Sequence, residues 1–132
     1  MLFLHLLIAF LALMTVDALP TEHGARPRSS DSQQRSGIAT FFYQNGIAGA
    51  CGTVHDDWDH VIALQTALYQ NGAHCGQTVV ITNKNTGHTT TGVVADECPT
   101  CDSSTSIDLS KGLFEEFASD QDGIFPVSWY FE

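Results

Sequence analysis

All four cysteines of this 132-residue chain, Cys51, Cys75, Cys98 and Cys101, lie beyond residue 36, in a stretch long enough for one compact domain and too short for two. A domain of that size buries a modest core, so covalent crosslinks matter to it. An even cysteine count in an exported chain favours two disulfides. Cys51–Cys75 and a tight Cys98–Cys101 loop are the expected pairs, although spacing alone leaves connectivity open. Cys98-Pro99-Thr100-Cys101 also has the spacing of a redox pair. That chemistry needs a helix N-terminus to lower the thiol pKa. Here Asp96 and Glu97 precede the pair and the loop Asp102-Ser103-Ser104 follows it, which works against a thiolate. A structural zinc site would want a second Cys-x-x-Cys unit, and none exists. No metal and no cofactor are expected.

The N-terminal segment reads differently. Leu2 to Met14 is apolar apart from His5, and small or apolar residues surround Asp17. Residues 1–18 therefore read as a secretory signal peptide, too short for a comfortable transmembrane span. Residues 19–36, with Pro20, Pro27, Arg26, Arg28 and Arg35, read as a disordered linker or pro-segment. The domain is then residues 37–132 of a secreted, extracellular protein, expected to be monomeric and without membrane attachment.

Formal charge at pH 7 is −10, and the only basic residues of 37–132 are Lys84 and Lys111. Nucleic acid is excluded as a partner, because phosphate binding needs a basic surface. Polyanionic glycans are disfavoured by the same sign. Neutral polysaccharide, protein and small neutral ligands stay open.

Gly37 to Tyr43 is β-branched and aromatic and predicts a strand, followed by a glycine-rich loop from Gly46 to Gly52. Asp56, Asp57 and Asp59 offer N-caps to a predicted helix from His60 to Tyr69, with Val61, Leu64 and Leu68 on its apolar face. Thr78–Thr82 and Thr89–Ala95 predict a hairpin. Ser110 is placed to cap a second short helix whose Leu113, Phe114 and Phe117 share a face. Ile124–Phe131 closes the chain as an alternating strand with Phe125, Val127 and Trp129 on one side. Many short strands with two short helices in the connections predict an all-β closed barrel.

Asp96 and Asp108 carry the chemistry. Each follows or sits in a short β run, the position of a rim carboxylate reachable by a substrate. Such a pair is the acid/base set of a glycosidase, and a neighbouring hydroxyl such as Thr40 would orient one of them. The bland alternative is that Asp108 caps the second helix and Asp96 binds loop amides. His55 to His60 has metal-ligand residue types, but its aspartates already have capping work to do. Tyr43, Trp58 and Trp129 are candidate sugar platforms.

Gly37-Ile38-Ala39-Thr40-Phe41-Phe42-Tyr43, Gly49-Ala50-Cys51-Gly52, Val94-Ala95-Asp96-Glu97-Cys98-Pro99-Thr100-Cys101, Ile107-Asp108-Leu109-Ser110 and Val127-Ser128-Trp129 occur in this order. Together they resemble the RlpA-like and barwin-like group, specifically the single-domain, expansin-related secreted proteins of fungi that include loosenins. The resemblance implies a six-stranded double-psi β-barrel with two short helices in the connections. It implies a polysaccharide groove floored by Thr40, Asp96 and Asp108, with Asp108 essential and Asp96 its partner. The implied function is loosening of neutral cell-wall polysaccharide, cellulose or chitin, without hydrolysis. Cys98 stands where expansins carry an aromatic, and no counterpart of their second domain follows Trp129, so weak cellulose binding is expected. Relatives of the same layout include inhibitors of papain-like cysteine proteases, so the alternative is a protein-binding module or secreted effector whose partner is a cysteine protease.

Overall fold

The structure, a computed structural model, describes residues 32–132. The expected signal peptide and most of the expected linker lie outside the described residues. Six strands, β1 (Arg35–Phe42), β2 (Val61–Gln65), β3 (Thr78–Asn83), β4 (Thr89–Cys98), β5 (Ile107–Ser110) and β6 (Phe125–Phe131), close into a barrel in the order β1-β5-β2-β4-β3-β6. β1 runs parallel to β5 and β2 parallel to β4, while the other neighbours are antiparallel. This is a double-psi β-barrel, with two short helices, α1 (Thr66–Tyr69) and α2 (Lys111–Glu115), in its connections.

Alternation decides which residues fill it. Along β6, Phe125, Val127, Trp129 and Phe131 are buried and the residues between them are not. Val79 and Ile81 of β3, Ile107 and Leu109 of β5, and Ile62 and Leu64 of β2 join them, with Leu113 and Phe114 of α2. Leu113 enters the barrel wall over Gly92, where an added Cβ would lie 2.6 Å from its Cδ2 and 3.0 Å from Ile62 Cδ1. A side chain at residue 92 would therefore overpack the core. Asn83, buried at the end of β3, is satisfied: its Nδ2 donates to Phe117 O and its Oδ1 accepts from Asn85 N.

Three sequence expectations change. The helix expected over His60–Tyr69 is instead β2 followed by one turn, α1. Val61, Ile62, Ala63 and Leu64 are all buried because β2 is a central strand between β4 and β5. A central strand shows a continuous apolar run that mimics a buried helix face. Asp56, Asp57 and Asp59 accordingly cap no helix. Asp57 Oδ1 accepts from Gln44 N at 2.6 Å, and Asp59 Oδ2 accepts from Asp56 N and contacts His55 Nδ1. Ser110 precedes α2 but makes no side-chain cap bond. Its hydroxyl donates to Asp59 O and accepts from Val61 N, fastening the start of β2. The first strand also begins two residues early, so Arg35 belongs to the barrel rather than to a tail.

Both expected disulfides are present. Cys51–Cys75 ties the long β1–β2 connection to the segment after α1, and Cys98–Cys101 closes the turn leaving β4.

Candidate functional site

The barrel lines up Thr40, Asp108, Ala63 and Asp96 as one rung across four adjacent strands. Thr40 pairs with Asp108, Asp108 with Ala63, and Ala63 with Asp96. Their chain neighbours Ala39, Ile107, Leu109, Ile62 and Leu64 point inward and are buried. By alternation the rung faces out. Thr40 Oγ1 donates to Asp108 Oδ1 at 2.8 Å. Ala63 between the two acids is itself buried, so Thr40, Asp108 and Asp96 are the accessible members of the rung, and two strand spacings put the backbones of the acids roughly 10 Å apart.

Asp96 reaches this rung through a bulge. Ile62 pairs with Val94, but Ala63 pairs with Asp96, which makes Ala95 the extra residue. Without it, alternation would turn Asp96 into the barrel. The glycine-rich loop secures the bulge: Cys51 N donates to Ala95 O, and Asp96 Oδ1 accepts from Ala50 N at 2.7 Å and from Glu97 N at 2.8 Å. Half of the bland reading of Asp96 is thus present, since it does bind loop amides. The approach is close enough that a Cβ on Gly49 would lie 2.5 Å from Ala95 O. Gly49→Ala is expected to push the loop off the bulge and destabilise the domain by about 1–3 kcal/mol, read as a lower thermal midpoint.

Burial pushes the Asp108 carboxyl above the ordinary carboxylate range, with the charge of Asp96 adding to it, while the bonds from Thr40 and from Leu109 N pull the other way. Asp108 caps nothing: it lies within β5. Beside it is a pocket of about 90 Å³ between β1 and β5, walled by Ile38 and Ser106 and by the Cys98–Cys101 turn with Thr100 and Asp102. Sequence reasoning named Cys98 and Cys101 only as a disulfide and missed Ile38, Thr100, Asp102 and Ser106 as wall residues. Thr100, Asp102 and Ser106 lie in a stretch that carried no signal beyond being loop-like. It also missed Ala63, hidden in an apolar run.

The proposed platforms divide. Trp129 is 0% exposed, with Nε1 donating to Thr105 O at 2.8 Å, so it is a core residue and no sugar platform. Trp58 is 66% and Tyr43 49% exposed. Trp58 lies against the start of α2, with Lys111 Nζ 5.3 Å from its ring centroid, and Tyr43 packs edge-on to Phe41. Both stand on the β1–β2 connection.

A search of curated proteins finds no match. Among solved structures, a mutant expansin of Clavibacter michiganensis in complex with cellohexaose is similar at 25% identity and a TM-score of 0.66, over 75% of this chain and 50% of that one. The chain thus spans half the length of that expansin. The Streptomyces papain inhibitor is similar at 30% identity and a TM-score of 0.65, over 75% of this chain and 94% of the inhibitor. Cerato-platanin 3 of M. perniciosa, at 15% identity and a TM-score of 0.56, over 74% of this chain and 93% of that one, shares the fold. The family profile described as Kiwellin-1 matches residues 31–118. Similarity to expansin agrees with the resemblance read from the motifs, but the matched profile bears another name, and the chain belongs to the Kiwellin-1 family.

Proposed function

We propose that this is a secreted, expansin-like protein that binds neutral cell-wall polysaccharide along the Thr40–Asp108–Ala63–Asp96 rung and loosens its packing without cutting it. The observation that carries this reading is the outward-facing Asp108, held by the Thr40 hydroxyl at 2.8 Å on a floor shared with Asp96. A glycan hydroxyl donating to Asp108 trades a chain–chain hydrogen bond for a chain–protein one. Repeated exchange along a fibre lets chains slip, and no covalent bond is broken. The C. michiganensis expansin bound to cellohexaose supports the ligand class. The two disulfides support an oxidising, extracellular setting. The test compares the full chain with Asp108→Asn for retention on cellulose or chitin and for extension of wall material, with reducing sugar measured alongside. Equal extension by both proteins rejects the site, and sugar release rejects the non-hydrolytic mechanism.

A second reading, a protein-binding module directed at a cysteine protease, rests on the 94% coverage of the Streptomyces papain inhibitor. The β1–β2 connection supplies a surface for it. Tyr43, Ile47, Val54 and Trp58 are all exposed there. The Cys51–Cys75 bond and the Asp96–Ala50 contact hold that connection rigid, as an inhibitory loop requires. On this reading papain is inhibited equally by the parent and by Asp108→Asn, and Ile47→Asp weakens inhibition at least about tenfold. No inhibition by the parent at micromolar concentration removes it.

A further inference from the structure

The pocket beside Asp108 is too small for a sugar ring and too polar to be packing slack. At about 90 Å³ it holds roughly the volume of three water molecules, well below the about 300–1,000 Å³ of whole-ligand cavities. Its walls differ in chemistry. Ile38 and the Cys98–Cys101 disulfide form an apolar side, and Thr40, Thr100, Asp102 and Asp108 an oxygen-rich side. Ser106 is already engaged, accepting from Ile38 N and sharing a hydroxyl contact with Ser103. Thr40 has spent its hydrogen on Asp108. Asp108 accepts from Thr40 Oγ1 and from Leu109 N, which leaves lone pairs of its carboxylate open, and the Asp102 carboxylate makes no hydrogen bond among the described residues, so the open capacity of the pocket is mainly that of an acceptor.

A group that fits must be short, carry an apolar carbon and end in a donor. It must also be uncharged or nearly so, because a carboxylate would meet Asp102 and Asp108. We propose that this pocket takes the exocyclic hydroxymethyl group of a hexose unit lying along the rung, and so selects hexose-based glycans over pentose-based and uronic-acid glycans. The methylene lies against Ile38 and the disulfide, and the hydroxyl donates to Asp108 Oδ2 or Asp102. A xylose unit has only hydrogen there, so the pocket stays filled with water and gains neither the apolar contact nor the direct hydrogen bond. A uronic acid brings a like charge.

This inference rests on the glycan reading of the site, and its test separates the two. Cellohexaose and xylohexaose have the same β-1,4 backbone and differ in the hydroxymethyl group. Each is titrated into the full chain, with binding followed by amide chemical shifts. The expected result is cellohexaose binding at least about tenfold tighter, with shifts at Thr100, Asp102 and Ser106 that xylohexaose does not produce. Thr100→Leu, which fills the mouth of the pocket, closes the gap between the two sugars while the spectrum reports an intact fold. Equal affinity for both sugars in the parent, or a gap that persists in Thr100→Leu, overturns the pocket assignment and leaves the glycan reading standing. Binding of neither sugar overturns both.

Discussion

Asp108→Asn is expected to abolish wall loosening and weaken glycan retention by about 10–100-fold while leaving the barrel at least as stable as the parent at pH 7. The loss follows from removing a charge-assisted hydrogen bond, worth about 1.5–3 kcal/mol. The retained fold follows from geometry: an asparagine Oδ1 accepts from Thr40 Oγ1 as the carboxylate does. The stability sign follows from burial, which raises the folded pKa of Asp108 above its unfolded value. The stability this group confers is then fully present below the ordinary aspartate range and is lost as pH rises through its elevated pKa. Thermal midpoints of the two proteins measured from pH 3 to pH 7 should therefore show the parent losing ground to the variant as pH increases. A variant that unfolds at neutral pH, or one that loosens walls as the parent does, contradicts the role given to this residue.

Trp129→Ala is expected to remove about 3–5 kcal/mol of stability. The indole is fully buried, packs edge-on to Phe131 at 5.3 Å, and its Nε1 donates to Thr105 O. Truncation leaves a cavity and a carbonyl without its donor. Small domains hold about 5–15 kcal/mol in all, so the thermal midpoint should fall by roughly 15–30 °C. A sugar platform would behave in the opposite way, losing glycan retention with an unchanged midpoint. Calorimetry beside a pull-down distinguishes the two.

The two tryptophans show what sequence can and cannot reveal. Alternation in Ile124–Phe131 already placed Trp129 on one side with Phe125 and Val127, and that side is the core. Reading it as a platform set residue type above period. Trp58 had no period around it, and its exposure is set by the turn that Asp57 builds with Gln44 and Gly112. Four strands, two of them the hairpin, were legible because turn residues and alternation bracket them; the two disulfide pairs agree with expectation, but cysteine spacing by itself left their connectivity open. β2 was not, since Val61-Ile62-Ala63-Leu64 satisfies a helix face and a central strand equally well. Thr40, Asp96 and Asp108 were legible as residue types near strand ends. That they share a rung depends on the register shift at Ala95, and register is a property of the paired partner strand, absent from local sequence.

The rung draws its members from β1, β5, β2 and β4, and Thr40 meets a partner 68 positions away. No hairpin or other local fragment contains it. Pairings of that sequence distance carry a larger loop-closure cost than local contacts. Under the proposed function, a chain still emerging, or one halted half-assembled, has no rung to present to a glycan. On that same reading, retention on the polymer reports whether β1, β5, β2 and β4 have come together.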